Sequence, residues 1–153
     1  MDENKLPDIF DVADWFLNKE PLQHKKLQKL CYYAVAWTYT LLDKPLCTNS
    51  DFQAWIHGPA NPMLYQEYKQ YGWLHIPQKE CDYDFDEAED VLEFVWASYG
   101  DLTQFQLENL THDEEPWQIA RGDLGDSERS EAIISAADMK KYYAKIYEES
   151  QND

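Results

Sequence analysis

Apolar residues recur along this chain at intervals of three and four, and stretches that alternate every second residue are rare. That period belongs to helices with one face in a core. Ile9, Val12, Ala13 and Phe16 keep it behind Asp8, an acid placed to accept from the first free backbone N–H groups. In HKKLQKLCYYAVAWTYTLL the stripe Leu27, Leu30, Cys31, Ala34, Thr38 and Leu41 is widened by Tyr33 and Trp37 to a second face. A helix apolar on more than one side belongs at the centre of its domain. Lys44-Pro45 closes it, because proline pushes the preceding residue out of helical geometry.

DFQAWIHGP then reads as a short strand or extended segment stopped by Gly58-Pro59. NPMLYQEYKQYG has a helix start, Asn61 as cap with Pro62 at the first helical position, and a stop at Gly72. Leu64, Tyr65, Tyr68 and Tyr71 share a face of it, and WLHIP is an edge strand or a loop. Ala88, Val91, Leu92, Val95, Trp96 and Tyr99 form the cleanest stripe, closed by Gly100. Thr103 with Gln106 fits a capping box, and Leu102 with Leu107 the hydrophobic staple around it. Ser135 with Asp138 and Ile134 with Met139 repeat the device before a last helix that buries Met139, Tyr142, Tyr143 and Ile146. GDLGDSERSE (122–131) is the most loop-like stretch. The expected fold is mostly α: a single compact multi-helix domain over residues 1–153, with at most a small β element near residues 52–57 and 73–76.

Composition sharpens this picture. The length suits one ordinary domain, and six Trp, eleven Tyr and six Phe give it an aromatic core rather than a disordered character. Thirty acids against thirteen bases leave a net charge of −17, which argues against direct binding of nucleic acid and favours basic partners. Cys31, Cys47 and Cys81 are an odd set without paired spacing, as in a reducing compartment. MDENKLPDIF lacks the basic and apolar regions of a signal peptide, and no stretch is apolar for long enough to span a bilayer. A cytoplasmic protein without membrane contact is expected.

Candidate chemistry is sparse. Asp82, Asp84, Asp86 and Glu93 occupy positions 1, 3, 5 and 12 of a calcium-binding EF-hand spacing. The glycine that the sixth position needs is Glu87, the usually apolar eighth is Glu89, and Pro77 spoils the entering helix. The run reads instead as an acidic loop that caps the next helix with favourable dipole charge. His24, His57, His75 and His112 lack zinc spacing, and no nucleophile elbow or phosphate loop is present. No metal, cofactor or catalytic residue is expected. In LTHDEEPWQIAR (110–121) one helix should end near Leu110 or Thr111, and Glu115 should cap a second with Pro116 at its first position. Trp117 and Ala120 would face inward, Arg121 would pair with acids of the turn, and His112 with Glu115 would hold the corner. The competing use of His112 with Glu115 is a hydrolase-like acid/base pair.

In their order, DVADWFL, KKLQKLCYYAVAW, FQAWIHGPANPMLYQEYKQYGW, VWASYG, LTHDEEPWQIAR and MKKYY resemble the Panacea domain. This is the SocA-like antitoxin family, once labelled phage-associated protein, and the resemblance covers about residues 8–147. It implies an antitoxin that neutralises a cognate toxin, encoded by an adjacent gene, through direct protein–protein binding. Occlusion, distortion, or delivery to a cellular protease would each serve. The matching positions are Lys26, Gln28, Lys29, Tyr32 and Trp37, then Trp55, Gly58, Pro59, Pro62 and Tyr65, then Thr111, His112, Pro116, Trp117 and Arg121. The candidate partner-binding set is Trp55, His57, Gly58, Pro59, Tyr65, Tyr68, Tyr71, Trp73, His112, Trp117 and Arg121. Two other functions compete: hydrolysis of a toxin product or small substrate by His112 and Glu115, and mimicry of nucleic acid by the acids of 80–93.

Overall fold

The second helix, α2 (His24–Leu42), has every residue from Leu27 to Thr38 buried, so its surroundings are made of other elements on all sides. Thr38 fits there because its hydroxyl donates to the Ala34 carbonyl at 2.7 Å. Around α2 pack α1 (Ile9–Lys19), α3 (Pro62–Tyr68), α4 (Ala88–Tyr99), α5 (Gln104–His112) and α7 (Ala136–Gln151). A short α6 (Glu115–Arg121) joins α5 to α7, and a hairpin of β1 (Gln53–Trp55) and β2 (Gly58–Ala60) lies against α2. The computed structural model describes residues 6–125 and 127–152. The start of the N-terminal stretch (residues 1–5) and residue 126 of the 122–131 loop lie outside the described residues.

The expected mostly helical fold forms, and its local signals act as read. Asp8 accepts from Phe10 and Asp11 N–H while Asp11 accepts from Asp8 N–H, a complete box. Thr103 and Gln106 close the second box, with Leu107 buried beside it. At α7, Ser135 accepts from Asp138 N–H at 3.0 Å, and Ile134 and Met139 are buried as a staple requires. Asn61 caps α3 through Met63 and Leu64 N–H. The α2 helix ends at Leu42, with Asp43 in the left-handed region (φ 54°) donating to Tyr39 O, just ahead of Lys44-Pro45.

Two details sharpen the expected small β element. The β element is an antiparallel pair, Gln53 opposite Ala60 and Trp55 opposite Gly58, so it extends past residue 57 to Ala60. Residues 73–76 supply no strand; Ile76 makes only a single bridge with Leu22, and Trp73 and Leu74 are 72% and 71% exposed. Partners remote in sequence bear on the first, since residues 132–134 run along the free edge of β1 through Ala54 N–H to Ala132 O and Ile134 N–H to Phe52 O. The acidic run also departs from its expected role. Glu87 precedes α4 without a side-chain cap, while Glu87 pairs with Lys44, Glu89 accepts from Trp15 Nε1–H, and Glu93 pairs with Lys19. Glu89 and Asp90 still lie in the first turn of α4, where the helix dipole favours negative charge.

Candidate functional site

Gly58 holds the hairpin against α2 for two separate reasons. Its φ of +107° is one that side-chain-bearing residues rarely adopt. A Cβ there would also stand 2.7 Å from Lys29 Cε and 2.8 Å from Thr111 Oγ1. The hairpin therefore touches the middle of α2 and the end of α5 at one point. Gln28 fixes the next turn of chain, donating to Asn61 O at 2.9 Å and accepting from Asn61 N–H at 2.7 Å. Lys26 donates to the Gly100 carbonyl at 2.7 Å and closes the end of α4.

The corner after α5 is clamped to the same hairpin. Trp117 Nε1–H donates to Trp55 O at 2.8 Å, and His112 stacks on the Trp117 ring at 4.1 Å with an interplanar angle of 16°. Arg121 donates to Ala54 O at 2.8 Å, to Gly125 O at 2.7 Å and to Glu128 O, and its guanidinium lies 4.8 Å from the Trp117 ring centre. Arg121 is thus buried among backbone carbonyls rather than paired with the acids of the turn. Five donors in a planar fork suit this task, tying β1 to the loop after α6.

The acid that matters at this corner is Glu114, not Glu115. Glu114 is the residue that precedes α6, Pro116 is the second helical residue rather than the first, and Glu115 is exposed. Glu114 is 5% exposed and accepts from Tyr33 Oη at 2.8 Å and Tyr143 Oη at 2.7 Å. Tyr32 Oη lies 3.2 Å from Tyr143 Oη, and with the Tyr143 proton on Glu114, Tyr32 donates to Tyr143. Burial raises the Glu114 carboxyl to about 7, against the opposing effect of the two tyrosine hydrogen bonds. Nothing in the local spacing marks Glu114, because Tyr33 and Tyr143 come from helices 81 and 29 residues away. Sealed among rings, this carboxylate organises α2, α6 and α7 and offers no face to a substrate.

These segments make a recognisable whole. The family model described as antitoxin SocA-like, Panacea domain, matches residues 27–118, from the second turn of α2 into α6. The chain belongs to the SocA-like antitoxin family. No curated protein and no solved structure matches it. The Panacea match contains Lys29, Gly58, Thr111, Glu114 and Trp117, whereas α1, Arg121 and α7 lie outside its bounds.

The Panacea residues proposed for partner binding divide by burial. Gly58, Pro59, Tyr68, Trp117 and Arg121 are buried and shape the scaffold. Tyr68 and Tyr71 are in ring contact with each other, and Tyr68 meets Phe10 of α1, away from the hairpin. His112 is half-buried on Trp117, and Trp73 stands on the surface 5.7 Å from Lys25 Nζ. Trp55, His57 and Tyr65 do converge. With Ile56, Arg129 and Glu131 they line a cleft of about 240 Å³, and Trp55 packs edge-on against Tyr65 at 5.2 Å. Beside it the same three residues, with His24, Lys25 and Lys29, line a narrower recess of about 70 Å³.

Proposed function

We propose that this Panacea-family chain is an antitoxin that neutralises a cognate toxin, the product of an adjacent gene, by direct binding in the cytoplasm. The reading rests on one observation above the others. Motif residues from α2, the hairpin and the α5–α6 corner, far apart in sequence, together hold the cleft that Trp55, His57 and Tyr65 line. A rigid, partly apolar recess rimmed by aromatic and cationic side chains is the form of a protein-binding hot spot.

The charge of −17 supports the same reading for a toxin with a basic active surface, because complementary charge speeds association. The hydrolase-like alternative draws little from the corner: His112 lies flat on Trp117, and Glu115 is exposed outside the hydrogen-bonded group. Co-expression tests the proposal. The neighbouring open reading frame should arrest growth alone and be tolerated with this protein. A neighbour that is harmless alone defeats the antitoxin reading.

A further inference from the structure

The segment that follows the 122–131 loop forms an open sheet edge. Residues 132–134 run beside β1, with Ala54 N–H donating to Ala132 O and Ile134 N–H to Phe52 O, both at 2.8 Å. These two bonds flank an antiparallel bridge between Gln53 and Ile133. Backbone groups alternate in direction along a strand, so the N–H and carbonyl of Ile133 point away from β1. Neither has a hydrogen-bond partner among the described residues. Glu131, Ala132 and Ile133 are all exposed, Ile133 by 56%. An edge of this kind is a template for one more strand unless lysine, proline or a covering element blunts it. The stretch SEAII (130–134) contains neither lysine nor proline.

We infer that this edge receives an extended segment of the protein partner, which adds a strand antiparallel to residues 131–133. The added strand exchanges both backbone bonds with Ile133 and brings a basic side chain to Glu131. This inference rests on the antitoxin reading and deepens it by naming how the toxin is gripped. Backbone geometry and charge choose the occupant. A free N–H and a free carbonyl on one exposed residue match the backbone of another strand, whose alternate side chains are then read by neighbouring pockets. The 240 Å³ cleft is such a pocket. Ser130 and Glu131 line it together with Trp55, two residues along β1 from Gln53 and so on the face that Gln53 shares with Ile133. Charge then separates a foreign strand from a second copy of this chain. Residues 122–131 carry four acids against one base, within a net charge of −17. Two copies joined at this edge would bring those acids together, whereas a strand flanked by Lys or Arg is drawn in.

The test uses the full chain and no toxin, so its outcome is separate from that of co-expression. Acetyl-Lys-Val-Phe-Val-Lys-amide is titrated while NMR follows the Ile133 and Glu131 amides and the Trp55 indole N–H. With its Phe opposite Ile133, the second lysine stands opposite Glu131. Binding should be saturable and should slow solvent exchange of the Ile133 amide at least ~10-fold. The same peptide methylated on the Phe nitrogen lacks the donor to Ile133 O and should bind at least ~10-fold more weakly. Replacing both lysines by glutamate should weaken binding by a similar factor. Ile133→Pro removes the outward N–H and leaves the bonds to β1, so it should melt near wild type and lose the peptide response. Ile133→Thr keeps the N–H and should retain it. No response at the Ile133 amide, equal binding of the methylated peptide, or full binding by a folded Ile133→Pro protein would overturn the inference. A dimer of the wild-type chain alone that Ile133→Pro disperses would also overturn it and assign the edge to a second copy.

Discussion

Glu114 shows how much one residue can decide. Its oxygen collects the hydroxyls of Tyr33 and Tyr143, and removing it would strand both in a dry core. Glu114→Ala should therefore cost about 2–4 kcal/mol in denaturant unfolding. Glu114→Gln keeps an acceptor for both tyrosines and should cost far less. Because burial raises this carboxyl from 4.5 to about 7, the folded chain holds a proton that the unfolded chain has released. The contribution is full below the unfolded value and falls as pH rises from 4.5 to about 7, by roughly 3 kcal/mol. Stability of the wild type relative to Glu114→Gln should decline across that window; a flat difference would refute the assignment. Gly58→Ala is the second diagnostic. With φ at +107° and Lys29 and Thr111 in the way, it should destabilise by at least ~2 kcal/mol.

At the scale of elements, the chain announces its helix starts and conceals its long-range contacts. Caps are local chemistry, an oxygen and a backbone N–H two or three residues apart, so Asp8, Asn61, Thr103 and Ser135 were readable from spacing alone. Thr103→Ala should lower the unfolding free energy by about 1 kcal/mol, moving the denaturant midpoint down with an unchanged slope. The hairpin was half legible: QAWIHGPA looks extended, but its length depends on the pairing with residues 132–134 and the seat on Lys29 and Thr111. At the corner, the spacing of the helix marks Trp117 as inward-facing, and it is buried. The roles of Glu114 and Glu115, and the carbonyl partners of Arg121, are not legible locally, because three acids in a row carry no sign of which one faces the core. Of the candidate contact residues, periodicity grouped Tyr65 with Tyr68 and Tyr71. The structure separates Tyr65, on the cleft, from the other two on the α1 side.

For the whole molecule, charge sets how a partner is met and the cleft sets how it is held. Several acids of 80–93 are already engaged by Lys44, Trp15 and Lys19, which leaves Glu80, Asp82, Asp84, Asp86 and Asp90 as the exposed remainder. Changing these acids to their amides should slow association and flatten its salt dependence, with dissociation nearly unchanged. Loss of binding would instead favour mimicry of nucleic acid by this run. The central claim is narrower: a Panacea-family chain holds its toxin through Trp55 and Tyr65. The direct measurement is the affinity of the purified adjacent gene product for wild type and for Trp55→Ala/Tyr65→Ala, with thermal unfolding of both as the check on folding. We predict that the double variant remains folded and loses at least ~100-fold in affinity, about 3 kcal/mol, together with neutralisation in cells. A folded double variant that binds and neutralises like wild type would contradict the account.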